Sequence, residues 1–190
     1  MGIALAEQFA AQGAEVTLVK GPTHLNPVNP KITQLLVQSA AQMYETCVQY
    51  FPFNDVIVFA AAVADYTPKY PSNTKIKKKE DEFSVEMVKT KDIALELGKL
   101  KKDEQITVGF ALETDNEMNY ALEKLKKKNF DFIVLNSMND KGAGFQYDTN
   151  KITILDKAGK VTKFELKSKT GVAKDIVEYL NNILAAKKRT

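Results

Sequence analysis

The chain has 190 residues, 44% of them hydrophobic, which suits one domain with a sizeable core. Its 27 Lys and Arg residues nearly balance its 24 Asp and Glu residues, so the net charge of +3 is weak and only local clusters can act on a charged ligand. A single cysteine excludes a disulfide framework, and no apolar run approaches the ~18 residues of a membrane span. We therefore expect a cytoplasmic α/β protein without membrane contact.

The first elements follow the order helix, glycine, strand. An apolar stripe over residues 2–12 predicts a helix that ends at a glycine, and residues 15–19 predict a short strand. A further strand is predicted over residues 32–37. Ser39 is then the expected N-cap of a helix that runs to about Tyr50.

The stretch from 55 to 79 carries the main chemical signal. The apolar run Val56-Ile57-Val58-Phe59 predicts a strand buried on both faces, and the alanines after it let a ligand approach the backbone. Asp65 is the first charge beyond the run, at the carboxyl end where open α/β sheets bind ligands. A loop rich in lysine follows, beginning at Lys75. A carboxylate that can hold Mg²⁺ beside a basic loop indicates a phosphate-handling site.

The remaining pattern alternates strands with helices. Strands are predicted over 83–88, 106–113 and 131–136, helices over 92–101, 116–128 and 171–187, a β-hairpin over 151–166, and a covering loop over 139–149. This order predicts a three-layer, Rossmann-like α/β fold with a mainly parallel sheet, helices on both faces and the carboxy-terminal hairpin at one edge. Residues 1–190 would form a single domain.

Several short sequence motifs together indicate a protein family more specifically than any one of them alone. AAAVADY at 60–66, KIKK at 75–78, MVKTKDI at 87–93 and VGFALET at 108–114 occur in that order, followed by FDFIV at 130–134 and GAGF at 142–145. In this combination the chain closely resembles phosphopantothenoylcysteine synthetase of the bacterial, CTP-using type. The resemblance covers nearly the whole chain.

The resemblance implies a ligase of coenzyme A biosynthesis. In that reaction the carboxylate of 4'-phosphopantothenate attacks the α-phosphate of CTP, which gives an acyl-cytidylate and pyrophosphate. The amine of L-cysteine then displaces CMP and forms an amide. The implied cofactor is Mg²⁺, CTP is a co-substrate, and the implied partners are a second copy of the chain in a homodimer and, in a longer protein, a flavin-dependent decarboxylase domain.

The resemblance also assigns site residues, all of them in the nucleotide site. These are Phe59, Ala60, Ala61, Asp65, Lys75, Lys91, Asp92, Ile93, Ala94, Phe110, Lys124 and Lys128. Lys75 would be catalytic, on a loop that closes over the nucleotide, and Asp65 is the possible Mg²⁺ ligand. The residue types fit this chemistry, because charge gathers at phosphorus in the transition state and cations stabilise it.

One part of the family pattern is missing. In the family, a strand and an Asn-bearing loop stand directly before the Met-Gly pair that is Met1-Gly2 here. We therefore expect a synthetase domain trimmed at its amino end. The missing strand would lie between the strands at 15–19 and 56–61, and its absence would leave a gap there or let another segment take its place.

Each of these signals also has a plainer interpretation. A lysine run is usually a solvated loop, Asp65 alone would simply end a strand, and Phe110 alone would be a core residue. An NAD(P)- or flavin-dependent reductase on a similar sheet and a non-catalytic nucleotide-binding module both remain alternatives. RNA binding is not expected, because no RRM-like aromatic motif lies on a predicted strand.

Overall fold

The computed structural model describes residues 1–72, 74–77, 82–113, 115–137 and 147–187. The helices are α1 (Gly2–Ala11), α2 (Ala40–Tyr50), α3 (Ile93–Leu100), α4 (Glu117–Lys127) and α5 (Lys169–Lys187), with a 3-10 turn at Phe51–Phe53. The strands are β1 (Val16–Lys20), β2 (Ile32–Leu36), β3 (Val56–Phe59), β4 (Tyr66–Pro68), β5 (Met87–Lys89), β6 (Ile106–Glu113), β7 (Phe132–Ser137), β8 (Thr149–Asn150), β9 (Ile152–Asp156), β10 (Val161–Lys163) and β11 (Lys167–Ser168). Among the described residues, no helix is long and apolar enough to cross a membrane.

The main sheet has five strands in the order β10-β9-β7-β6-β3. Strands β3, β6 and β7 are parallel, so their carboxyl ends lie at one edge. The β9–β10 hairpin is antiparallel, with β9 paired to β7 and β10 at the edge of the sheet. The predicted parallel core and edge hairpin are therefore confirmed. The capping box of Ser39 and Gln42 at the start of α2 confirms the predicted N-cap.

Helices cover both faces of this sheet. On one face Ile106 and Val108 of β6 share a core cluster with residues of α1 and α5. On the other face Ala111 of β6 packs with Ala121 and Leu125 of α4. Because successive side chains of a strand point to opposite faces, one buried strand supplies both clusters. The predicted three-layer α/β class is confirmed.

Strands β1 and β3 do not pair with each other. Strand β1 pairs with β2 in a separate two-stranded parallel sheet, and β3 pairs with β6 alone among the described strands. The expected gap between these two strands is present. The prediction that β3 is buried on both faces is wrong, because all four of its residues are only half-buried beside this gap.

The predicted strand over 83–88 is wrong in extent. The regular strand there is only β5, and it pairs antiparallel with β4 in a ribbon separate from the main sheet. Phe83 and Val85 alternate with polar residues, yet they are 70% and 50% exposed. An alternating pattern marks a buried face only when another layer covers it, and sequence alone does not show that layer. The GAGF motif at 142–145 lies outside the described residues.

Two glycines allow elements of the α3 and α4 face to approach closely. A Cβ at Gly109 would lie 2.1 Å from the Phe130 ring, so the bare backbone of β6 makes room for that ring. A Cβ at Gly98 of α3 would lie 2.3 Å from the carbonyl oxygen of Lys128, at the end of α4. The second contact fixes the distance between these two helices.

We predict that Gly98→Ala destabilises the protein by about 1–3 kcal/mol despite the better helix propensity of alanine, because the new methyl group meets backbone that cannot rotate away. Gly2→Ala is the matched control, since its Cβ would meet only Ala60 Cβ at an ordinary 3.7 Å. Urea unfolding of both variants measures the difference. Equal midpoints for the two variants would contradict the prediction.

Candidate nucleotide-binding cleft

A cleft of about 2090 Å³ follows the carboxyl ends of β1 and β3 and the gap between them. Nearly all the site residues assigned from the sequence line it: Phe59, Ala60, Ala61, Asp65, Lys91, Asp92, Ile93, Ala94, Phe110, Lys124 and Lys128. They come from β3, β6, α3 and α4 and from the loops beside them. Residues far apart in sequence are thus brought to one edge of the sheet, the edge where open parallel sheets bind ligands.

Lys75 is not part of this lining. It is exposed, in the short described stretch 74–77 between β4 and β5. Lys78 and Lys79 of the same basic run lie outside the described residues. The catalytic assignment of Lys75 stays a prediction.

Lys128 lies beside the start of α3. Its Nζ is 3.0 Å from Oδ2 of Asp92, whose other oxygen accepts a hydrogen bond from Leu95 N and so caps the helix. Asp92 is therefore engaged as an N-cap and ion-pair partner. Because the α3 helix begins at Ile93, the N–H groups of Ile93 and Ala94 lie at the cleft without a partner among the described residues and suit an anion.

Lys124 has a carboxylate partner that the sequence analysis missed. Its Nζ lies 2.5 Å from Oε1 of Glu113, the last residue of β6. A sequence signal for Glu113 was present, because it is an acid at the carboxyl end of a buried strand, as Asp65 is an acid shortly after another strand. Both α4 lysines that point toward the cleft are thus paired with acids.

Lys91 has a different neighbour. Its Nζ lies 4.3 Å from the centre of the Tyr44 ring, within the range of a cation–π contact. Tyr44 belongs to α2, and its ring packs at the edge of a cluster formed by Phe51, Ile93 and Leu97. No local pattern indicated that Tyr44 lies at the site, because α2 and the segment before α3 are about 50 residues apart.

The two assigned phenylalanines lie on opposite faces of the sheet. Phe110 packs toward the α1 and α5 cluster, whereas Phe59 packs toward the α3 and α4 cluster and lies 5.6 Å from Phe130, centre to centre. Phe59 therefore lies on the same face as the cleft lysines. Phe110 lines the cleft from the other face, where a flat base could contact it.

Asp65 is the one acid of the assigned set that is not tied into an ion pair among the described residues. Its backbone oxygen accepts a hydrogen bond from Thr90 N at 2.9 Å, and Thr90 Oγ1 donates to the carbonyl of Ala64 at 2.6 Å. These bonds fix the chain at Asp65 while its carboxylate stays exposed in the cleft.

Magnesium fits this arrangement if a phosphate supplies the other oxygens. No group of three or more acidic, His or Cys side chains that could hold a metal occurs in the part of the chain that is described. Mg²⁺ in nucleotide sites commonly uses one or two carboxylates together with substrate phosphates and water. Asp65 is the residue that would hold it.

Cys47 also lines the cleft but is not a suitable nucleophile. Burial raises the pKa of its thiol to about 11, so the thiol stays protonated at neutral pH. The thiolate is the reactive form of cysteine.

Comparison with known proteins identifies the family. The family model described as the DNA/pantothenate metabolism flavoprotein C-terminal domain matches residues 1–184. The chain is 42% identical over 190 residues to the coenzyme A biosynthesis bifunctional protein CoaBC of Bacillus subtilis, covering 100% of this chain and 46% of that protein. It is 54% identical over 177 residues to a protein named cysteine/cysteine sulfinic acid decarboxylase from an unknown prokaryotic organism, covering 93% of this chain and 49% of that protein.

Solved structures agree with this result. The crystal structure of the C-terminal domain of CoaBC matches with a TM-score of 0.81 at 37% identity, over 97% of this chain and 82% of that one. A Cab2 mutant in complex with phosphopantothenate-cysteine matches with a TM-score of 0.75 at 15% identity, over 100% of this chain and 79% of that one, which shows a shared fold. The chain spans about half the length of the curated relatives it matches. The chain therefore belongs to the DNA/pantothenate metabolism flavoprotein C-terminal domain family.

Proposed function

We propose that this chain is a phosphopantothenate–cysteine ligase domain that activates its substrate with CTP. The observation that carries the proposal is the convergence of the assigned nucleotide residues in one cleft of a protein of this family. Relatives that are named bifunctional proteins of coenzyme A biosynthesis support the substrate class. Neither a reductase nor a non-catalytic module is favoured by any observation on the cleft.

The proposed chemistry has two steps. A carboxylate oxygen of phosphopantothenate attacks the α-phosphorus of CTP, and the bond to the β-phosphate oxygen breaks to release pyrophosphate. The amine of cysteine then attacks the acyl carbon, loses a proton and displaces CMP. The first step creates a good leaving group, because oxide cannot leave a free carboxylate whereas CMP can.

The cleft residues supply binding and charge. The first-turn N–H groups of α3 and the lysines around them would hold the triphosphate, and Phe110 would contact the base. Asp65 would hold Mg²⁺, which neutralises charge on the phosphates when it is bound. Lys124 and Lys128 exchange a carboxylate partner for phosphate only if the nucleotide outcompetes Glu113 and Asp92.

We expect CTP with Mg²⁺ to raise the thermal midpoint of this protein more than ATP or GTP does at equal concentration, because binding to the folded state stabilises it. Differential scanning fluorimetry measures the shift. Equal shifts for the three nucleotides would contradict the CTP preference, and release of pyrophosphate and CMP with phosphopantothenate and cysteine is the direct assay of activity.

Lys75→Ala should leave stability within about 0.5 kcal/mol, because its side chain is exposed. It should slow acyl-cytidylate formation on the order of 10²-fold if the loop brings this cation to the developing charge. Pyrophosphate release with CTP and phosphopantothenate is the measurement, made in a protein that includes the upstream strand and Asn-bearing loop of the family pattern. Lys102→Ala is the control, at an exposed lysine outside the cleft lining, and parental rates in both variants would reject the lid role of Lys75.

The gap between β1 and β3 favours an additional strand. Each of these strands pairs on one side only among the described strands, and both line the same cleft. Unpaired backbone N–H and C=O groups along an edge are a template for another strand. The chain matches only 82% of the solved CoaBC domain, so that domain holds further residues. We propose that a segment upstream of Met1 fills this gap and carries the loop that holds the acyl-cytidylate.

A protein extended upstream by roughly one strand and its loop should therefore be more stable and form more amide than residues 1–190, because the extension pairs both open edges. Urea unfolding and CMP release compare the two. An extension of equal length made of Gly and Ser is the control. Equal turnover with and without the native extension would show that the segment is dispensable.

A homodimer is the proposed assembly, and the β4–β5 ribbon is the surface that supports it. Tyr66 and Met87 of the ribbon and Val85, two residues before β5, are large apolar side chains that are each about half exposed. Exposed apolar patches of this kind mark interaction sites. In a longer protein, a decarboxylase domain is the proposed covalent partner, as the word bifunctional in the names of the relatives suggests.

Val85→Glu should shift the protein from dimer to monomer, because a charge would be buried against the partner's apolar side chains. Sedimentation equilibrium measures the mass. Val161→Glu is the matched control, since Val161 is similarly exposed (46% against 50%) but lies on the hairpin at the other side of the main sheet. A parent protein that is monomeric at all concentrations would reject the dimer.

A further inference from the structure

We propose that Tyr44 is a positioning residue: its ring holds the Lys91 ammonium in place, and Lys91 makes the first contact between the cleft and the phosphates of the nucleotide. The inference deepens the proposed function, because it assigns the initial contact with the triphosphate of the nucleotide. It rests on one juxtaposition, the Lys91 ammonium above the Tyr44 ring at the start of α3.

The charge balance of the cleft singles out Lys91. Lys124 is 2.5 Å from Glu113 and Lys128 is 3.0 Å from Asp92, so the positive charge of each is compensated before a ligand arrives. No described carboxylate lies within ion-pair distance of Lys91. Lys20, at the end of β1, also lines the cleft without a carboxylate partner among the described residues, but its Nζ donates to the carbonyl of Leu25 and to Oδ1 of Asn26. On the α3 and α4 face an incoming polyphosphate therefore meets Lys91 before it displaces any carboxylate.

The ring fixes the ammonium without neutralising it. A lysine side chain loses rotamer entropy when it is held in one place. Contact with an aromatic face offsets part of that cost in advance and leaves the ammonium its full charge and its outward N–H donors. A carboxylate partner in the same place would hold Lys91 equally well but would compete with the phosphate.

The platform is itself rigid. Tyr44 lies on α2, whose first turn is closed by the capping box at Ser39, and its ring is packed against the apolar cluster of Phe51, Ile93 and Leu97. Ile93 of this cluster is the first residue of α3, so the ring and the start of α3 belong to one packed unit. Lys91 precedes the N-cap of the same helix by one residue. The ammonium and the free N–H groups of the first turn thus line the cleft from one four-residue segment, 91–94.

The test is a double-mutant cycle on residues 1–190 with two probes, CTP with Mg²⁺ and inorganic tripolyphosphate with Mg²⁺. By isothermal titration calorimetry, Lys91→Ala should weaken both probes about tenfold. Tyr44→Leu should weaken both about threefold, and Tyr44→Phe should bind like the parent because it keeps the ring. In the Lys91→Ala background, Tyr44→Leu should have no further effect.

Two controls separate positioning from general damage. Lys99→Ala removes a lysine at the other end of α3, where it pairs with Glu96, and should bind both probes like the parent. Cytidine, which has no phosphate, should bind all variants with equal affinity. A thermal midpoint for each variant confirms that the protein used is folded.

Several results would overturn the inference. They are additive effects of Tyr44→Leu and Lys91→Ala, a loss in Tyr44→Phe as large as in Tyr44→Leu, a loss of cytidine binding equal to the loss of CTP binding, or no binding of either probe to the parent. Failure of the proposed function looks different. In that case CTP binds no better than tripolyphosphate, while tripolyphosphate still depends on Lys91 and Tyr44 as stated.

Discussion

The parallel pairing of β3, β6 and β7 is the constraint on which the cleft depends. Hydrogen bonding in register places Phe59 beside Gly109 and Gly109 beside Ile133, so the three strands end at one edge. The connections that leave this edge lead into α3 and α4, which is why Lys91 before α3, Lys124 in α4 and Lys128 after it approach the same space. A slip of one residue would turn each side chain to the other face and separate Glu113 from Lys124.

Close packing at two glycines sets the distances between the sheet, α3 and α4. Phe130 lies against the bare backbone of Gly109, and α3 meets the end of α4 at Gly98. Because Asp92 starts α3 and Lys128 follows α4, the approach of the two helices helps to bring this ion pair to 3.0 Å. The charged geometry of the cleft is thus set by apolar and backbone contacts on the α3 and α4 face, where the protein interior cannot deform without loss of packing.

The electrostatics of the cleft are less positive than its lysines suggest. Two of its cations are each held by a carboxylate, so a ligand must replace those contacts to use them. Lys91, held by an aromatic ring, needs no such exchange. This division limits the unbalanced charge of the cleft, and it leaves Asp65 as the exposed acid beside these lysines.

The sequence by itself determined the type and order of most elements, because apolar periodicity, the Ser39 cap and the buried run of β6 are local signals. It also indicated the family through short motifs, and eleven of the twelve site residues assigned in this way line the cleft. Tertiary structure alone decided the partners: that Glu113 and Asp92 compensate Lys124 and Lys128, that Tyr44 lies under Lys91, and that the apolar side chains near β5 lie on an open ribbon. The physical reason is that contacts between residues distant in sequence depend on packing and register, which no local pattern encodes.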